Sequence, residues 1–287
     1  MLAVVGTVPD QGFPLVAGIV TLKADRIYIQ GHEVPVNRGT PALLAAAIKT
    51  AETLGGHETF GYLVGDIGLG DGSRRLYEYI TNHIKENDFS TIAFHYVQPD
   101  VDWHNRVLLT VKEMTRRPVL IADAGFMYAA KMSGMASEYD LFTPDVGELA
   151  FLADEDAPHP FYTRGFILHE ENRVPDMIAR AYSHKNASRF LLVKGKEDYV
   201  ADQGGIRATV KKPAEEALEA IGGTGDIVTG IASALISADW EIEKAAVFSA
   251  RANRLAGHFS KPTPATQVID IINNIPRALA ELLSGGK

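Results

Sequence analysis

Ile221-Gly222-Gly223-Thr224-Gly225-Asp226 decides how this chain is read, together with the run Ile227-Val228-Thr229-Gly230-Ile231-Ala232-Ser233-Ala234-Leu235 that follows. Ile227, Ile231 and Leu235 recur every four residues, the spacing of one buried helix face. Gly230, Ala232, Ser233 and Ala234 are small, so a second element can lie close against that helix. Glycines ahead of a helix tolerate positive φ and let a ligand reach the backbone. The N–H groups at a helix start have no intrahelical partner, and they add to the positive end of the macrodipole, so the turn is an anion site. Asp226 closes the turn. One reading makes it a plain helix-start residue that complements the dipole. The other makes it a base, placed to take a proton from a hydroxyl that attacks a bound phosphate.

Outward from this stretch, strand-like runs alternate with helical ones over most of the 287 residues. That pattern predicts βαβ units around a mainly parallel sheet. Strands are expected over 2–5, 16–22, 26–30, 59–64, 91–97, 118–122, 139–143, 189–193, 199–202 and 206–210. Helices are expected over 42–54, 73–84, 103–114, 174–184, 242–259 and 266–283, with Thr40 and Asp102 as N-caps. Residues 154–171, with Pro158, Pro160 and Gly165, read as one long polar loop. No linker separates two cores, so residues 1–287 are expected to form a single domain. Ligands in such folds bind beyond the carboxyl ends of the strands. Asp66, Asp123, Glu148, Lys194 and Asp226 all follow expected strands or open the helices after them.

Composition narrows the function. Apolar residues make up 46% and the net charge is −8, with no Lys/Arg run that would mark a nucleic-acid partner. Cysteine is absent, which removes disulfides, thiolate metal sites and a Cys nucleophile. The first residues, Met1-Leu2-Ala3-Val4-Val5-Gly6, form neither a signal peptide nor a membrane span, and a cytoplasmic protein is expected. The nine histidines show no HxH or HExxH spacing. No GxSxG elbow, no phosphate-binding GxxxxGK[ST] loop and no GxGxxG after the first strand is present.

Gly223-Thr224-Gly225-Asp226 before a small-residue helix resembles the anion-hole motif of the ribokinase-like superfamily. Its wording is closest to the ADP/ATP-dependent NAD(P)H-hydrate dehydratases. Gly39-Thr40-Pro41-Ala42 is similar to that family's lead into its first helix. Gly65-Asp66-Ile67-Gly68-Leu69-Gly70 stands where the family has a glycine-proline-glycine-leucine-glycine turn. Thr143-Pro144-Asp145-Val146-Gly147-Glu148 is similar to its threonine-proline-histidine-proline-glycine-glutamate motif, with Asp145 and Val146 in the middle.

The resemblance implies a three-layer α/β/α sandwich with small β-hairpin additions at the sheet edge, which in the superfamily often serve as a lid or a subunit contact, so a homo-oligomer is one expectation and a solvent-facing edge hairpin the other. It implies ATP or ADP and Mg²⁺, with the hydroxyl of hydrated NAD(P)H phosphorylated and the phosphate then lost. Asp226 would be the base. Gly223, Thr224, Gly225 and Lys194 would hold phosphate, Gly222 and Asn253 the nucleotide, Asp66, Asp123 and Asp145 the substrate, and Glu148 the Mg²⁺ through water. A small-molecule kinase for a sugar or vitamin precursor and a nucleotide-binding protein without catalysis are the competing readings.

Overall fold

A computed structural model of the chain describes residues 1–157, 173–263 and 265–285. Most of the long loop expected over 154–171 lies outside the described residues.

The chain forms one eleven-stranded sheet in the order β11-β10-β9-β8-β7-β6-β1-β5-β2-β3-β4. The centre is parallel: β1 (Leu2–Val8), β5 (Thr59–Gly65), β6 (Thr91–His95), β7 (Val119–Ala122), β8 (Leu141–Phe142) and β9 (Phe190–Val193). Both edges turn antiparallel. On one side lie β2 (Val16–Lys23), β3 (Arg26–Ile29) and β4 (His32–Pro35). On the other lie β10 (Asp198–Asp202) and β11 (Gly205–Val210).

Ten helices, among the described residues, cover the two faces. One layer holds α1 (Thr40–Thr53), α7 (Thr224–Ser237), α8 (Ile242–Ser260), α9 (Val268–Ile272) and α10 (Ile275–Ser284). The opposite layer holds α2 (Asp71–His83), α3 (Val101–Lys112), α4 (Ala124–Met132), α5 (Val146–Ala153) and α6 (Val174–Ser183). The alternation in β1 shows why both faces are needed. Leu2, Val4 and Val8 enter the first core and Ala3 and Val5 the second, so a strand apolar on both sides is buried on both. The expected three-layer α/β/α architecture is the observed one.

The small residues of α7 serve close packing. A Cβ on Gly230 would overlap the Leu43 carbonyl of α1, so the two helices approach backbone to side chain. This pairing carries the starts of both helices to one edge of the sheet.

Several local expectations are corrected. β4 is an extra strand that makes the first hairpin a meander. The strand expected over 91–97 stops at His95, because Tyr96 takes a left-handed φ of 47° and leaves the ladder. The strand expected over 139–143 shrinks to two residues. Thr40 is not the N-cap of α1; Gly39 is, with φ 69°, and Thr40 begins the helix. Asp100, not Asp102, caps α3 by accepting from the Trp103 N–H. The C-terminal helix is two helices, broken at Asn273-Asn274 ahead of Pro276, a residue tolerated in a first turn and not in an interior.

Candidate active site

The carboxyl ends of β6, β7, β8 and β9 and the starts of α1 and α7 converge at one edge. Asp226 stands at the third position of α7, 8% exposed, and makes no cap to its own helix. Its Oδ2 accepts from the Gly39 N–H at 2.6 Å and its Oδ1 lies 3.0 Å from His95 Nε2. Asp226 thus makes no side-chain cap, although as the acidic residue in the first turn of α7 it also complements the helix dipole. Burial works to raise its pKa, but the His95 hydrogen bond and charge, Lys194 and the Gly39 N–H outweigh it and hold the carboxyl below its usual range.

Gly223, with φ 97°, is the N-cap of α7. Among the described residues, no acceptor takes the N–H groups of Gly223, Thr224 or Gly225. Thr224 turns its hydroxyl back to the Ile221 carbonyl at 3.3 Å. The exposed side chain of Arg38 runs past this turn: a Cβ on Gly222 would lie 3.6 Å from Arg38 Cδ. Arg38 makes no ion pair or side-chain hydrogen bond among the described residues. The Lys194 stem passes the other side, 3.5 Å from the position of a Cβ on Gly225.

Asp123, 1% exposed at the end of β7, pairs with Lys194: Nζ donates to its two oxygens at 3.0 and 2.8 Å. Thr229 Oγ1 of α7 donates to Asp123 Oδ2 at 2.6 Å and lies 2.9 Å from Thr143 Oγ1. Burial would strip the Lys194 proton, but Asp123, Glu148 and Asp226 more than offset it, so the amine stays charged. Its backbone is held too. Lys194 N–H donates to the Pro144 carbonyl at 2.8 Å. Buried Arg254 of α8 pairs with Asp198 at 2.7 Å and donates to the Gly195 and Lys196 carbonyls, stapling the turn after β9.

Glu148 and Asp145 form a capping box at the start of α5, each accepting from the other's backbone N–H, at 2.7 and 2.8 Å. Burial and the nearby carboxylates of Asp145 and Asp123 push the Glu148 carboxyl up to about 8, with Lys194 opposing them. Glu148 retains partial exposure and stands near the carboxylates of Asp145 and Asp123. A hydrated Mg²⁺ suits such a place, since it keeps several waters and takes few protein carboxylates. His95, Asp123 and Asp226 also bring ligand-type atoms within 4.8 Å of one another. There, however, Asp123 Oδ2 already accepts from Lys194 and Thr229, so the resident cation is the ammonium.

Of the residues singled out in the sequence, Asp123, Lys194, Asp226 and the 222–225 turn are brought together, with Glu148 and Asp145 flanking them. Asp66 is not joined to them by any contact among the described residues. Its two oxygens accept from the N–H groups of Gly68, Leu69, Gly70 and Ser73 and from the Ser73 hydroxyl. Asn253 on α8 leaves its Oδ1 buried without a partner. Sequence reasoning missed His95 and Tyr96. The Tyr96 ring stacks edge-on against His95 at 4.2 Å and lies over Gly39, while its side of the residue facing solvent leaves it 51% exposed. The histidine has no spacing signal, because its partners lie 55 and 131 positions away.

The family described as NAD(P)H-hydrate dehydratase matches residues 98–277, the stretch that contains Asp123, Glu148, Lys194 and Asp226. This chain belongs to that family. An uncharacterized protein of Methanocaldococcus jannaschii is 41% identical over 242 residues, covering 84% of this chain and 100% of the relative. The bifunctional NAD(P)H-hydrate repair enzyme of Pyrobaculum aerophilum is 26% identical over 175 residues, 59% of this chain and only 32% of that longer protein. Among solved structures, the ADP/ATP-dependent NAD(P)H-hydrate dehydratase of Bacillus subtilis, co-crystallized with ATP/Mg²⁺ and soaked with CoA, superposes with a TM-score of 0.58 at 14% identity, covering 98% of this chain and 90% of that one. The phosphofructokinase-2 of Escherichia coli in complex with fructose-6-phosphate gives 0.51 at 13% identity, covering 98% and 100%. At such identities the structures speak for the ribokinase-like fold alone. The family match begins after the 65–72 turn, so that glycine-rich turn lies outside the matched range.

Proposed function

We propose that the chain is a nucleotide-dependent enzyme that phosphorylates a substrate hydroxyl with Asp226 as base, and that this hydroxyl is the one on the ring of hydrated NAD(P)H. The observation that carries the reading is the pairing of two features at the start of α7. A buried carboxylate is held at its two oxygens by Gly39 N–H and His95, and the adjacent N–H groups lack acceptors among the described residues. Asp226 takes the hydroxyl proton, the oxygen attacks the terminal phosphorus of ATP or ADP, and the bond to the departing nucleotide breaks. The C–O bond then breaks, phosphate leaves with the former hydroxyl oxygen, and the adjacent ring carbon gives up a proton to water, so the ring regains its double bond. The N–H groups of 223–225 and Lys194 stabilise phosphate charge through this transfer. Mg²⁺ held through water near Glu148 would neutralise the nucleotide phosphates.

A second reading is a kinase for a sugar or vitamin precursor. The observation that favours it is where the family match starts. Gly39 and His95, which hold Asp226, and Thr40 and Tyr96, which hold His95, fall outside 98–277. Product analysis separates the two. Incubation with hydrated NADH and ATP or ADP, with Mg²⁺, is expected to give NADH and free phosphate. Accumulation of a stable phosphorylated alcohol would select the kinase. A thermal-shift screen precedes it: a nucleotide at 100 times its dissociation constant stabilises by about 2.7 kcal/mol. Lack of any shift with millimolar ATP or ADP removes the basis for both readings.

A further inference from the structure

Asp226 has a partner that the reaction above leaves unexplained. His95 closes β6 with no exposure at all. Its Nε2 lies 3.0 Å from Asp226 Oδ1 and its Nδ1 lies 3.0 Å from Thr40 Oγ1. An ionised carboxylate has no proton to give, so Nε2 carries the proton and donates. Gly39 N–H holds the other oxygen at 2.6 Å. Two donors from two different elements thus clamp the carboxylate at both oxygens. The imidazole is itself locked. Thr40, at the start of α1, holds the far nitrogen, and the Tyr96 ring closes one side at an interplanar angle of 79°. Gly6 of β1 leaves room for the Thr40 side chain in that contact: a Cβ there would overlap both Thr40 Oγ1 and the His95 carbonyl.

The other charged or titratable groups around Asp226 are few. Asp123 Oδ2 lies 3.9 Å from His95 Nε2. Lys194 acts on Asp226 across the site, and the Tyr96 hydroxyl is pushed up by burial and then by Asp226. Arg38 runs past the 222–223 turn. Against the burial that opposes ionisation of Asp226, the His95 hydrogen bond is the largest favourable contribution.

We propose that His95 is a positioning residue for Asp226, donating from Nε2 to Oδ1 and fixing the orientation of its carboxylate. The proposal rests on Asp226 as the base, but its first test does not need turnover. The ¹³C resonance of the Asp226 carboxyl is followed against pH in wild type, His95→Ala and His95→Gln. Its midpoint is expected to rise in His95→Ala and to return towards wild type in His95→Gln, whose amide N–H can reach the same oxygen. An unchanged midpoint in His95→Ala overturns the proposal, and so does a rise that His95→Gln fails to reverse. If His95→Ala does not fold, Thr40→Val replaces it. Freeing Nδ1 then loosens the ring, and the same direction of change is required. The second test is kcat/KM for the substrate that wild type turns over. His95→Ala should lose roughly tenfold or more at about pH 5.5 and progressively less towards about pH 8. An equal loss at every pH in both variants marks a structural role only. If wild type turns over neither hydrated NADH nor an alcohol, the proposed reaction fails while the carboxyl titration still decides the pairing.

Discussion

Two glycine-rich turns in this molecule look alike in sequence and differ in what they leave open. Gly68 and Gly70 precede α2; Gly222, Gly223 and Gly225 open α7. Both helices start from a left-handed glycine, Gly70 at φ 86° and Gly223 at φ 97°, and neither has a side-chain cap. Asp71 of the first turn pairs with Arg74 on its own helix, which leaves one aspartate in each turn to compare. Asp66 precedes its glycines and folds back over them, accepting from Gly68, Leu69, Gly70 and Ser73. Asp226 follows its glycines and points away, to Gly39 and His95. The first turn is closed by its own carboxylate. The second keeps its N–H groups for something else. Glycine content alone therefore does not make an anion site; the destination of the neighbouring carboxylate does.

The largest expected effect tests the open turn. Asp226→Asn removes the base, so turnover should fall about 10²–10⁴-fold, the usual worth of a general base. The amide offers one acceptor where the carboxylate offered two, so either the Gly39 N–H loses its partner or the amide N–H faces His95 Nε2, and stability should also drop, by about 1–3 kcal/mol for an unsatisfied buried donor. The thermal shift induced by ATP or ADP should persist, because the 223–225 N–H groups are untouched. A variant that keeps more than about a third of wild-type turnover would leave the contrast between the turns without catalytic meaning.

Much of this contrast was legible in the sequence and some was not. The spacing of Ile227, Ile231 and Leu235 and the glycines before them pointed to α7 and its exposed N–H groups. The alternation of strands and helices pointed to the layered sheet. What stayed hidden depends on distance along the chain. Gly39 meets Asp226 across 187 positions and His95 meets it across 131, and no local pattern encodes either. The 65–72 turn was legible as glycine-rich, yet nothing in its spelling tells which donors Asp66 takes. The same holds for β4, a four-residue edge strand holding Pro35 and polar His32 and Glu33, whose pairing with β3 supplies what its composition does not.

The closed turn gives the next effect. Asp66→Ala leaves the buried Ser73 N–H and the part-buried N–H groups of Gly68, Leu69 and Gly70 without their acceptor and should cost about 1–3 kcal/mol, with little change in nucleotide affinity. A pH series sharpens it. Burial alone would raise the Asp66 carboxyl, but the Ser73, Gly70 and Gly68 hydrogen bonds hold it below the usual range. A lowered folded value means that the carboxyl contributes stability above the unfolded carboxylate range, near pH 4. That contribution is lost as pH falls through the folded value. Denaturant midpoints of wild type and Asp66→Asn should therefore differ most at neutral pH and converge in acid. A constant gap would show that the turn is not held by the ionised form.

The smallest effects come from the glycines themselves, and they separate backbone strain from crowding. Alanine at either Gly70 or Gly223 must adopt a left-handed backbone, which costs about 1–2 kcal/mol. At Gly70 nothing lies within 4 Å of the added methyl, so Gly70→Ala should cost that much and no more. At Gly223 the methyl would lie 2.9 Å from Val268 Cγ2 and 3.1 Å from Arg38 Cα. One neighbour belongs to α9 and the other to the loop before α1, so relief means moving a helix or a backbone segment. Gly223→Ala should therefore be the less stable of the two, by about a further 1–3 kcal/mol of overpacking. It should also bind nucleotide less tightly, because the displaced N–H groups are the ones proposed to meet phosphate. Chemical denaturation read beside nucleotide titration resolves the pair. Equal stability losses would mean that the start of α7 yields as easily as the exposed turn. Unchanged nucleotide affinity in Gly223→Ala would mean that the phosphates bind elsewhere.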